Sequence, residues 1–132
     1  KADSLLALNT PEHNNEVITT IEMLIAIDNT QGDYYSILGQ AFYQRWRFKQ
    51  ESKDFLNKSS ENMNIAIKMK NINIDYLAFA YMTNSDIWLS KDNLSKASEN
   101  IRKALQVKRL RPITERFKKI TLMKLQKMEF KK

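Results

Sequence analysis

The chain has 132 residues, 42% of them hydrophobic and 28% charged, which suits one folded domain with its own core. With no cysteine, disulfides, thiolate catalysis and cysteine-type zinc sites are excluded, and two glycines and two prolines are too few breakers for a turn-rich β architecture. The net charge of +7 is uneven: residues 1–40 carry −5, residues 101–132 carry +10, and the stretch between is near balance at +2.

In chain order, residues 3–8 form a short helix or the stub of one. Thr10 followed by Pro11 is a helix start, a hydroxyl cap before a residue that needs no N–H. Val17, Ile21, Leu24 and Ile25 then trace a helical face that Gly32 ends. Asp33 is placed to cap a second helix with Tyr35, Leu38, Gly39, Phe42 and Trp46 at steps of three and four. Ser52 would cap a third, with Leu56, Ser59, Met63, Ala66 and Ile67 on its apolar face. Asn73 caps a fourth, carrying Ile74, Leu77, Ala78, Tyr81 and Trp88. Ser90 is placed to cap a fifth, with Leu94, Ala97, Ile101, Ala104 and Leu105. Arg111-Pro112 starts a sixth, with Ile113, Phe117, Ile120 and Met123 on one side. Each spans some 15–19 residues, roughly 22–28 Å at the helical rise. No segment reads as a strand, and no apolar run approaches the ~18 residues of a membrane-spanning helix. A chain that starts at Lys1 is expected to be a piece of a longer protein.

Two stretches are copies of each other. Residues 58–70 align without gaps on residues 96–108, and six of the thirteen positions are identical. A period of this length implies stacked helical hairpins, each too small to bury its own apolar face. Leu38-Gly39-x-x-Phe42 followed by Ser59-x3-Met63-x2-Ala66 recurs as Leu77-Ala78-x-x-Tyr81 followed by Ala97-x3-Ile101-x2-Ala104. In this pattern the chain resembles tetratricopeptide repeats, whose two helices carry such small and large residues. The offsets of 39 and 38 residues exceed the family's usual ~34, which implies helices longer by about a turn. The expected architecture is all-α, a right-handed array of about two and a half hairpins within one domain of residues 1–132. Residues 11–30 are an incomplete first unit, 33–70 and 73–109 full units, and 112–130 a terminal helix.

Residues for catalysis are sparse. His13 is the single histidine and reads as a surface residue, with no ligand set converging on it. No carboxylate pair has acid–base spacing and no glycine-rich phosphate loop exists. The expectation is no enzyme, no metal and no cofactor. In the segment 41–48, aromatics alternate with arginines. Phe42 and Trp46 read as core, with Tyr43 and Arg47 on a more exposed stripe.

The resemblance implies that the first helix of each unit lines a concave groove. The residues so placed are Ser36, Gln40, Tyr43, Gln44 and Arg47, then Asp75, Phe79, Met82, Thr83 and Asp86. Phe79 and Met82 would be apolar anchors inside a hydrogen-bonding rim. The family's clamp for a chaperone's terminal carboxylate is not made by Ser36, Gln40, Asp75 and Phe79. The sixth helix carries a basic pole, Arg116, Lys118, Lys119, Lys124 and Lys127, as a polar end-cap. Leu122 and Leu125 lie about 180° and 120° round from Ile113 and offer a second contact. The expected function is non-enzymatic protein–protein interaction, scaffolding in a bacterial cell-envelope assembly, with a cytoplasmic setting as the alternative. The rival is a basic helix docking on nucleic acid or anionic membrane. No specific nucleic acid is expected; weak anionic-membrane contact and a homo-oligomer through Leu122 and Leu125 are the subsidiary expectations.

Overall fold

A computed structural model describes residues 10–49, 54–108 and 110–130. They form six α-helices and, among the described residues, no strand: α1 (Asn14–Ile27), α2 (Gly32–Lys49), α3 (Asp54–Lys68), α4 (Ile74–Ser90), α5 (Leu94–Gln106) and α6 (Pro112–Phe130). The fold is an all-helical array. α2 pairs with α3 and α4 with α5; α1 packs on α2, α4 bridges the two hairpins, and α6 packs on α4 and α5. One core runs through it, from Val17 and Ile21 of α1 through Ile37, Ala41 and Phe42, then Tyr76 and Met82, to Ile101, Ala104 and Leu125.

The repeated residues hold the hairpins together. Ser59, Met63 and Ala66 on α3, and Ala97, Ile101 and Ala104 on α5, are all buried. Small residues let the helices approach. At Gly39, a β-carbon would lie 2.9 Å from Met63 Cγ, and the Ser59 hydroxyl donates to the Gly39 carbonyl at 2.7 Å. In the second hairpin Ser85 donates to the Ala97 carbonyl at 3.0 Å.

Helix boundaries follow loop chemistry more than the sequence suggested. α1 starts at Asn14, not after Thr10. Residues 11–13 form a turn in which the His13 N–H reaches the Thr10 carbonyl, and His13 occupies the cap position without a side-chain bond. It ends at Asp28, whose carboxylate accepts from the Thr30 N–H, so the stop lies before Gly32. Gly32 is itself the first residue of α2. Its N–H donates to the Asn71 carbonyl at 2.7 Å, and a β-carbon there would sit 2.9 Å from that oxygen. Asp33 reaches across the array, its Oδ1 accepting from the Asn73 N–H at 2.7 Å. Asn73 caps α4 as expected, accepting from the Asp75 N–H. α5 is capped by Asn93, not Ser90. Ser90 is the last residue of α4, and Asp92 adopts a left-handed φ of 58° that moves the cap three residues on. Residues 3–8 and Ser52 lie outside the described residues.

The terminal helix α6 is turned the opposite way from its apolar pattern. Ile113, Phe117, Ile120 and Met123 are exposed, while Thr114, Lys118, Thr121 and Leu125 are buried. Polar groups are tolerated on the packed face because most find partners. The Thr121 hydroxyl donates to the Phe117 carbonyl at 3.0 Å; the Lys118 ammonium meets the Val107 carbonyl at 3.4 Å and Glu115 at 3.2 Å. Leu125 belongs to the core and Leu122 packs against it, so Leu125 is not the exposed contact that the sequence suggested.

Candidate functional site

The first helix of each hairpin and α6 turn equivalent positions into one cleft of about 520 Å³. From α2 come Gln40, Tyr43, Gln44 and Arg47; 39 residues on, α4 supplies Phe79, Met82, Thr83 and Asp86. A further 38 residues on, α6 supplies Phe117, Ile120, Thr121 and Lys124. By sequence register the lining residues fall into four rows: Gln40–Phe79–Phe117 and Tyr43–Met82–Ile120, then Gln44–Thr83–Thr121 and Arg47–Asp86–Lys124. Arg111 and Ile113, at the start of α6, complete the lining.

Eight of the ten groove residues expected from sequence line this cleft. Ser36 and Asp75 do not. The Ser36 hydroxyl is buried and donates to the Tyr76 carbonyl at 2.8 Å, tying α2 to α4. Asp75 is also buried: it accepts the Arg111 N–H at 2.9 Å and faces the Arg111 guanidinium at 3.4 Å. Asp33 and Asp75 thus play one role in successive units. Each sits in the first turn of its helix and holds the backbone N–H just before the next unit's first helix.

Phe79 and Met82 are floor, not exposed anchors; they are 8% and 3% exposed and part of the core. Phe79 packs on Tyr76 and on Phe117, with ring centroids 6.4 and 5.7 Å away. The accessible apolar groups are on α6: Phe117 and Ile120 keep 44% and 42% of their surface open. Thr83 donates to Gln40 Oε1 at 2.7 Å, joining two helices across the floor. Of the expected pattern, Phe42 is buried and Arg47 exposed as read from sequence, but Tyr43 is buried and Trp46 only partly so, because Tyr43 packs with Leu56 and Ile87.

The charged row sets the electrostatics. Burial pushes the Asp86 carboxyl above its ordinary range, with Lys124 and Arg47 pulling the other way. Lys124 is 3.7 Å from Asp86 Oδ2, and Oδ1 is buried without a hydrogen-bond partner. Burial, then the Asp86 charge, drives the Tyr43 phenol well above its usual range. A second recess of about 390 Å³ continues past Tyr43, Asp86 and Lys124 to Ser90, Lys127 and Met128.

The basic pole does not share one face. Lys118 is buried, Lys124 pairs with Asp86, Lys127 lines the second recess, and Arg116 and Lys119 are exposed outside both. His13 is exposed and faces Glu16 at 3.3 Å.

The α6 lining was missed in sequence because its hydrophobic period was read as a packing face. The signal was present: a 38-residue step from Phe79 and Thr83 lands on an identical residue each time, Phe117 and Thr121. The counterparts of Leu77, Ala78 and Tyr81 are Glu115, Arg116 and Lys119, which hid the repeat. No protein-family model matches the chain, and neither a curated protein nor a solved structure is similar to it.

Proposed function

We propose that this chain is a non-enzymatic protein–protein interaction module, a tetratricopeptide-like array whose groove holds a segment of another protein. One observation carries this reading: three helices direct the same four register positions into one cleft. A continuous concave surface of this kind is what helical arrays use for binding. Its α6 edge leaves Ile113, Phe117 and Ile120 uncovered beside polar groups, a composition suited to an apolar contact with a polar rim. The setting we favour is scaffolding in a bacterial envelope assembly. The test is a quantitative pull-down from native lysate. Proteins retained by the wild type should be lost with Ile120→Glu and kept with Lys119→Glu, which lies outside the groove. Equal retention by all three would defeat the reading.

A second reading has one observation in its favour. Met123 and Phe130 are exposed on α6 near Arg116, Lys119 and Lys127, an apolar–basic mixture that suits an anionic membrane surface. Binding to phosphatidylglycerol vesicles that falls steeply with salt, and is abolished by Arg116→Gln with Lys119→Gln, would support it.

A further inference from the structure

Resting on the docking function proposed above, we infer that the groove selects an acidic, apolar peptide: an apolar side chain packs at Phe117 and Ile120, and a carboxylate about three residues away binds the cationic end.

Charge gives the first argument. Arg47, Lys124 and Lys127 gather at the end where the cleft meets the second recess, and Asp86 is the single acid lining either. That acid is already engaged by Lys124 at 3.7 Å. Among the described residues, neither Arg47 nor Lys127 comes within ion-pair distance of a carboxylate, although Arg47 is near enough to Asp86 to act on its charge, and both side chains are exposed. The end therefore carries a surplus of two positive charges beside low-dielectric walls, where field lines concentrate and an anion is attracted. A basic ligand group would instead have to displace Lys124 from Asp86 while facing the other two cations.

Spacing gives the second. Phe117 and Lys124 are two helical turns apart on one face of α6, roughly 10 Å along the axis. A peptide in the polyproline II conformation rises about 3.1 Å per residue and brings every third side chain back to the same face. An apolar residue seated at Phe117 thus puts the side chain about three positions away level with the cations. Asp86 sharpens the choice, because its buried carboxylate repels a second one from the floor and leaves the rim at Arg47 and Lys127 as the anion's place.

The test is selection from a display library of random dodecapeptides at about 100 mM salt. It is run on the wild type, on Arg47→Ala with Lys127→Ala, on Phe117→Ala, and on Arg116→Gln with Lys119→Gln as an off-groove control. All these side chains are exposed, and circular dichroism checks that each variant is folded. The expected wild-type pool pairs an apolar residue with Asp or Glu about three positions away and is depleted in Lys and Arg. A representative peptide should weaken at least ten-fold with Arg47→Ala/Lys127→Ala, and equally when its own acid becomes the amide, while the off-groove control binds as wild type. A neutral or basic pool that still depends on Phe117 would overturn the acidic selectivity and leave groove docking standing. A pool no stronger on the wild type than on Phe117→Ala would overturn both. Acidic peptides lost in the off-groove control would mean diffuse charge attraction and would also overturn the inference.

Discussion

Phe79 and Phe117 stand at the same register position of successive array helices, their rings 5.7 Å apart and tilted by 58°. The pair divides the groove's labour: Phe79 is 8% exposed and closes the floor, Phe117 is 44% exposed and forms the wall. The two should respond differently to truncation. Phe79→Ala should cost about 3–5 kcal/mol, the usual result for a core phenylalanine. Phe117→Ala should cost about 1–2 kcal/mol, from half-buried area and the lost ring contact. Urea unfolding followed by circular dichroism measures both. The expectation that Phe79 and Met82 are accessible anchors for a partner does not survive their burial.

Ala104 is fully buried on α5, at the position Ala66 holds on α3. Ala104→Leu should overpack this contact and lower stability by about 1–3 kcal/mol. Thermal melts that match the wild type would show that the contact is loose.

Asp75→Ala removes both the acceptor for the Arg111 N–H and the partner of its guanidinium. A buried hydrogen-bonded charge of this kind should cost about 2–3 kcal/mol. The loss should be local. Hydrogen exchange in the first turns of α6 should accelerate more than in α2 and α3; uniform acceleration would mean that α6 docks by its apolar contacts alone.

These residues also show where the sequence was legible. Ser59, Met63 and Ala66 and their copies in α5 were found from periodicity because burial is what a period reports. The groove register on α2 and α4 was what the resemblance to tetratricopeptide repeats implied. The face of α6 was not legible, since Lys118 and Thr121 can be buried only because the Val107 carbonyl, Glu115 and the Phe117 carbonyl satisfy them. Hydrophobicity cannot see those bonds. Asp33 likewise looked like a local cap, but its carboxylate is engaged 40 residues away at Asn73, a partner that only the stacked fold supplies.

Asp86 gives a pH-dependent prediction. Burial holds its folded pKa above the ordinary value of 3.8, so the ionised form destabilises the fold at neutral pH. That penalty shrinks as pH falls through the folded pKa and is gone below 3.8. Asp86→Asn should therefore raise the melting temperature at pH 7, and the gain should disappear toward pH 4. A variant less stable than wild type at pH 7 would mean that the Lys124 and Arg47 attractions outweigh burial.

The groove itself is best tested by site-specific photo-crosslinking in the native cell, with a benzophenone amino acid placed either at Ile120 inside the groove or at Lys119 just outside it. The adjacent positions point to different surfaces of one helix, so expression and folding are matched. Docking in the groove predicts a discrete protein adduct from Ile120 and none from Lys119. An adduct from Lys119 with none from Ile120 would contradict it and move the binding surface to the outer face of α6.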